Sequence, residues 1–384
     1  MLGTTLPTPM YGLYQEKFGF SVLVVTVIFA AYAAGVLAAL MAFGRWSDTL
    51  GRRPLLLAGV VLAAISAVFF LVADSVWELL GGRVFSGLSA GIYVGAATVT
   101  VLETAPPQWR ARAPFVATAV NIGGLGLGPL LAGLAVEFLP HPLQASFAAH
   151  LVLLSVAAIA LAFVSETVKV APHARPRLQR LSVPPVVRAT FVRASIAGFA
   201  GFAVLGLFTA VAPTFLADVI GMGNRAVAGL VVFAVFAASA AAQIGFRSLP
   251  VAVSFNVGCS LLIAGMALVA LALGRHSLAA LVVGGIVAGA GQGMTFSKGV
   301  AEITASLHPD AKAEVASTFF VVVYVAISLP VIGVGLAAEV WGLVTAGLVF
   351  TTAVAVLAAV ALAALARESR GTRKLPRHDT LRQT

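Results

Sequence analysis

Long apolar runs broken by short polar punctuation cover almost the whole chain. They begin near Ser21, Pro54, Trp77, Ala111, Gln144, Phe191, Ala226, Val251, Leu278, Val315 and Trp341. A helix needs about 20 mostly apolar residues to cross a bilayer, so the pattern predicts eleven complete spanning helices. The runs are continuous instead of alternating over about ten residues, which excludes a barrel of membrane strands. Residues 1–10, MLGTTLPTPM, are too short to span or to form a signal-peptide core. They read as the stub of a first helix that lacks its beginning, and on that expectation the complete helices are numbered 2 to 12.

Composition agrees with this pattern. Of 384 residues, 60% are hydrophobic and 10% charged, and the mean hydropathy is +1.03; only lipid tolerates a surface with so little polar area. The net charge of +10 suggests nucleic acid until the basic residues are placed. Lys17, Arg225 and Arg275 fall on one side of the membrane, Arg83 and Lys298 fall within spans, and all other Lys and Arg fall on the opposite side. By the positive-inside rule that crowded side is cytoplasmic, and with it the middle loop and the C-terminus. The charge is therefore topological and touches anionic lipid; no basic groove lined with aromatics invites nucleic acid. The single cysteine, Cys259, lies in an apolar run, and six histidines are scattered along the chain without metal-ligand spacing. With no Gly-Lys-Ser or Gly-Lys-Thr phosphate cradle either, no cofactor, metal or enzymatic activity is expected.

The chain also repeats itself. A shift of 202 residues aligns Gly87 with Gly289, Gly91 with Gly293, Pro107 with Pro309, Arg110 with Lys312 and Glu166 with Glu368, and Pro129 falls on Pro330 at a shift of 201. Loop charges recur at the same face, so the repeat is parallel. The expected fold is an all-α integral membrane protein of two six-helix bundles. Residues 1–168 form the first bundle, 169–190 a cytoplasmic linker, 191–368 the second bundle and 369–384 a basic cytoplasmic tail. Repeats of this kind place a substrate site at their interface near the bilayer midplane.

Three strings give this architecture a family likeness. Between helices 2 and 3 stands Gly44-Arg45-Trp46-Ser47-Asp48-Thr49-Leu50-Gly51-Arg52-Arg53-Pro54. Helix 4 carries Arg83 followed by Gly87, Gly91 and Gly95, and helix 5 carries Gly124, Gly128, Pro129, Ala132 and Gly133. Glycines four apart let neighbouring backbones approach, and a proline removes a helix donor, so a bend is expected at Gly128 and Pro129. In this combination the chain resembles the major facilitator superfamily. The first string is similar to its loop signature, the second to its arginine followed by small residues, and the third to a signature found mainly in its proton-coupled exporters.

The resemblance implies a secondary transporter working by alternating access. It implies gating residues Gly44, Asp48, Gly51, Arg52, Arg53, Glu103, Arg110 and Glu166 at the cytoplasmic face, with Gly128 and Pro129 as hinge or seal. Wet ion pairs of roughly 0.2–1 kcal/mol each bias a two-state equilibrium without locking it. Candidates for substrate contact or coupling are Arg83, Tyr93, Asn121, Gln292, Thr295 and Lys298. Arg83 has two readings: coupling or anion binding, or snorkelling to the outer interface beside Glu78. Lys298 and Glu302 have the spacing of a helical ion pair. The expected function is proton-coupled export of a small apolar or amphipathic compound by a monomer in the cell membrane. Uptake of a sugar or other metabolite, and a non-transporting sensor with this fold, are the alternatives. Because the family's first helix lines its cavity, the chain as written is expected to transport poorly.

Overall fold

The computed structural model describes residues 1–43, 46–110, 112–168 and 178–372. Gly44, Arg45, the linker stretch 169–177 and the tail from 373 lie outside the described residues, as do the side chains of Asp48 and Glu368. A helical run through Leu2–Thr5 and Thr8–Met10 leads into α1 (Tyr11–Phe18), which stops at Gly19 in the left-handed region. Eleven helices long and apolar enough to span follow. They are α2 (Val22–Phe43), α3 (Arg52–Leu71), α4 (Val76–Thr104), α5 (Ala113–Phe138), α6 (Pro142–Ala162), α7 (Arg188–Ala210), α8 (Arg225–Gly245), α9 (Val251–Arg275), α10 (Leu278–Thr304), α11 (Pro309–Trp341) and α12 (Leu343–Thr372).

Local chemistry fixes several starts. Ser75, Asn224 and Ser277 accept from backbone amides in the first turns of α4, α8 and α10, satisfying donors that have no intrahelical partner. The largest departure from the apolar pattern is at α11, which begins at Pro309 ahead of its apolar run because a proline at the first helical position loses no hydrogen bond. Two helices contain an interior proline, Pro129 in α5 and Pro330 in α11, and each is nevertheless one helix.

Glycine seams carry the repeat into three dimensions. A Cβ on Gly87 would lie 2.1 Å from the Tyr32 carbonyl, and one on Gly91 2.9 Å from that of Val36, so α4 lies directly on α2. In the second half of the chain, a Cβ on Gly289 would meet the Val235 carbonyl at 2.4 Å and one on Gly293 the Ser239 carbonyl at 2.2 Å, placing α10 on α8. The halves then exchange partners, α5 packing on α8 and α2 on α11. At these crossings a Cβ on Gly229 would lie 2.2 Å from the Pro129 carbonyl, one on Gly133 2.4 Å from that of Arg225, and one on Gly335 2.4 Å from Thr26 Oγ1.

These crossings lie towards the end opposite the α2–α3 loop. Nearer the loop end, Gly123 and Gly245 face open space and Val120 is 69% exposed. Among the described residues, the segment after the linker stretch bridges the halves there. Its Gln179 amide donates to the Met41 carbonyl of α2, and its Ser182 amide donates to Thr318 of α11.

Candidate functional site

At the loop end a clamp is built on the first turn of α3. The amides of a helix N-terminus lack intrahelical acceptors and favour a carboxylate, and Glu166, just beyond α6, supplies one. It accepts from the amides of Arg52 at 2.9 Å and Arg53 at 3.0 Å, and from those of Thr167 and Val168 at 3.0 and 3.1 Å. Partial burial favours the neutral carboxyl, but these four amides outweigh it and hold Glu166 below the usual carboxylate range. Gly51 makes the approach possible. Its φ is +99°, and a Cβ there would lie 2.6 Å from the Glu166 carboxylate.

The Arg52 side chain extends the clamp to α4. Its NH2 group lies 3.1 Å from Glu103 Oε1 and its Nε 3.3 Å from Oε2, in a forked pair, and it also donates to Ser47. Thr167 donates to the same Glu103 carboxylate. The structure thus gathers Gly51, Arg52, Arg53, Glu103 and Glu166, joining α3, α4 and the end of α6. Arg110 is exposed and forms no ion pair among the described residues; Glu103, seven residues before it, pairs with Arg52.

The in-span candidates occupy separate places. Arg83 is 1% exposed, so it does not snorkel; it donates to the Thr4 carbonyl and lies 5.4 Å from the Phe29 ring and 4.9 Å from the Tyr32 ring. Glu78 instead accepts from Ser75. Tyr93 begins a wide π turn, Tyr93–Ala97, and donates to the Leu56 carbonyl at 3.1 Å. Gln292, buried, accepts from Ser239 at 2.6 Å, and Ser239 accepts from Gln243 at 3.2 Å. Thr295 bonds carbonyls of its own helix, and Asn121 is half-buried on α5. Lys298 and Glu302 do not pair with each other. Lys298 donates to the Arg247 carbonyl at 2.6 Å, where helix α8 leaves carbonyls unpaired, and Glu302 lies 4.0 Å from Arg193 on α7.

The opposite end holds contacts that motif reading did not find. Arg225 NH2 lies 3.5 Å from Glu16, its amide donates to Glu137 at 3.1 Å, and Ser21 donates to Glu339 at 2.6 Å. All three join the first half of the chain to the second. Their only sequence signal was a basic residue on the sparsely charged face. Gly128 lies against the N-terminal run, where a Cβ would meet the Leu2 carbonyl and Thr5 Oγ1, both at 2.4 Å. Pro129 presents its carbonyl to Gly229. The two residues therefore sit in the tight seam between α5, α8 and the N-terminal run. Cavities of about 310 Å3, lined by Thr4, Tyr93 and His150 among others, and about 290 Å3, lined by Tyr11, Glu16, Asp218 and Arg225, flank that run.

Comparison with known proteins places this geometry. The tetracycline resistance protein of class D from Salmonella ordonez is 34% identical over 115 residues, 30% of this chain and 29% of that protein. MdtD of Enterobacter sp. (strain 638), named as a candidate multidrug resistance protein, is 30% identical over 138 residues, 36% of this chain and 29% of its own length. The matched region thus spans under a third of either relative. Among solved structures, a POT family transporter in complex with 5-aminolevulinic acid superposes with a TM-score of 0.76 at 14% identity, covering 95% of this chain and 93% of that one. A bacterial homologue of the human lysosomal transporter Spinster, inward-facing, gives 0.69 at 17% identity, covering 97% and 94%. Residues 1–329 match the sequence profile of the Major Facilitator Superfamily, and the chain belongs to that family.

Proposed function

We propose that the protein is a secondary transporter that exports a small apolar or amphipathic compound in exchange for protons. One observation carries the reading: the two halves meet in tight glycine crossings at one end, whereas Gly123, Gly245 and Val120 near the other end stand clear. Closed at one end and parted at the other is one of the two states that alternating access requires. The basic loops support assigning the parted, loop end to the cytoplasm, which makes this the inward-facing state. The bundles are residues 1–168 and 191–368, rocking as units in a monomer of the cell membrane. The clamp of Gly51, Arg52, Arg53, Glu103 and Glu166 keeps α3, α4 and α6 together during that movement, while Gly128 and Pro129 seal the far end. Arg83, Tyr93, Asn121, Gln292, Thr295 and Lys298 are the substrate and coupling set. Export is favoured by the helix α5 signature and by relatives whose names refer to tetracycline and multidrug resistance.

The test uses inverted membrane vesicles from cells expressing the full chain, energised to an acid interior and supplied with tetracycline. Export predicts accumulation inside, lost when the proton gradient is collapsed. Accumulation in right-side-out vesicles driven by inward proton flow would replace export with uptake, and saturable binding without flux in either orientation would favour a sensor.

A further inference from the structure

At the end where the glycine crossings close, both halves of the chain line one cavity of about 290 Å3. The first half contributes Thr8, Tyr11 and Glu16 among others, and the second Asp218 and Arg225. The hydroxyls of Thr8 and Tyr11 are buried and have no hydrogen-bond partner, and the residues are only 2% and 3% exposed. Neither residue borders the cavity of about 310 Å3. A buried hydroxyl that bonds to nothing costs free energy, and a polar group brought into the cavity would remove that cost.

Charge decides what kind of group that is. Glu16 and Asp218 bring two carboxylates to the lining and Arg225 one guanidinium. Arg225 is already engaged: its NH2 group lies 3.5 Å from Glu16, and its guanidinium covers Gly12, where a Cβ would lie 2.7 Å from NH2. Asp218 forms no ion pair among the described residues. One negative charge is therefore left over, which favours a cation. Among the described residues no three His, Cys, Asp or Glu side chains are placed to hold a metal ion, and the cavity has the volume of several water molecules, more than a bare ion fills. Ala210, Pro213 and Ala217 give it an apolar wall. A primary ammonium on a short hydrocarbon chain matches this lining. Its three N–H donors answer one carboxylate and two hydroxyl oxygens, and its chain lies on the apolar wall.

We propose that this cavity binds a small primary ammonium compound, with Asp218 as its counter-charge and Thr8 and Tyr11 as hydrogen-bond acceptors. No residue of the substrate and coupling set lines it, so the site stands apart from the transport reading. The test takes the purified full chain in detergent and follows its melting temperature as n-butylammonium replaces tetramethylammonium, which has no N–H to donate, at constant chloride. Sodium and 1-butanol are titrated separately. A saturable rise with n-butylammonium, and none with 1-butanol, is expected. Asp218→Asn should raise the half-saturating concentration about tenfold or more, and Tyr11→Phe and Thr8→Val by about three- to tenfold each. Asp74→Asn, which removes an exposed carboxylate paired with Lys17, should leave it unchanged. The half-saturating concentration separates binding from any effect of a substitution on stability itself. No saturation by n-butylammonium, an equal response to 1-butanol, saturation by sodium at lower concentration, or an undiminished response in Asp218→Asn would overturn the proposal. Ammonium binding that persists in a chain without flux would refute transport and leave this site standing.

Discussion

Arg83 on α4 and Gly285 on α10 stand 202 residues apart, at corresponding points of two helices whose seams are otherwise alike. Gly87 and Gly91 bring α4 onto α2 as Gly289 and Gly293 bring α10 onto α8. One turn away the halves diverge. At Gly285 the space is taken by Phe208 of α7 and Val235, part of an apolar cluster that runs through the second half. At Arg83 the neighbours are the Thr4 carbonyl and the rings of Phe29 and Tyr32. The backbone approaches that set helix geometry have been kept in both copies, whereas the chemistry facing the bundle interior differs. In a duplicated fold, the shared positions report on scaffold and the unshared ones on what each half does.

The comparison is sharpest where it is easiest to break. Gly87→Leu and Gly289→Leu should each destabilise by about 3 kcal/mol or more, since a side chain would be driven into a backbone carbonyl in both seams. Gly333→Leu, which meets nothing within 4 Å, should leave the melting temperature nearly unchanged. Sensitivity in only one half would show that the seams are not equivalent. A smaller effect is expected from Gln292→Leu, which removes the acceptor of Ser239 and should cost about 0.6–1.7 kcal/mol in a denaturation measurement. The smallest concerns the clamp. Because the folded state holds Glu166 below its ordinary value of 4.5, its contribution is complete above that value and is lost as pH falls through the lowered one. Exposure limits it to less than about 1 kcal/mol. Glu166→Gln should therefore lower the melting temperature slightly at neutral pH and flatten its acid dependence; an unchanged acid limb would remove Glu166 from the clamp.

Spans and seams were legible in the sequence because both depend on local chemistry: continuous apolar length, and glycines at helical spacing. Gly51 and Arg52 were named only through the likeness of the loop string; the positive φ of Gly51 and the fork of Arg52 on Glu103 came with the structure. The ion pairs were not legible. Glu103 and Arg110 were both named as gating residues, but only Glu103 joins the clamp, where it meets Arg52 from another helix. Lys298 and Glu302 have pairing geometry on one helix, yet each reaches a group on a neighbouring element. Long charged side chains choose among partners that only tertiary packing brings close. The burial of Arg83 was hidden for the same reason, because the covering groups come from the N-terminal run and from α2.

The π turn at Tyr93–Ala97 has a consequence for α4 as a whole. A wide turn accommodates one residue more than an α turn, and each residue rotates the helix by about 100°. Everything after it is out of phase with everything before it. The upstream part of α4 presents glycines to α2, and the downstream part presents Glu103 to Arg52 of α3. One helix thereby serves α2 through its glycines, and α3 both before the turn, where Ser89 donates to the Gly59 carbonyl, and after it, through Glu103. Deleting one residue from this turn would leave every seam and clamp residue in the chain and yet aim them at the wrong helices.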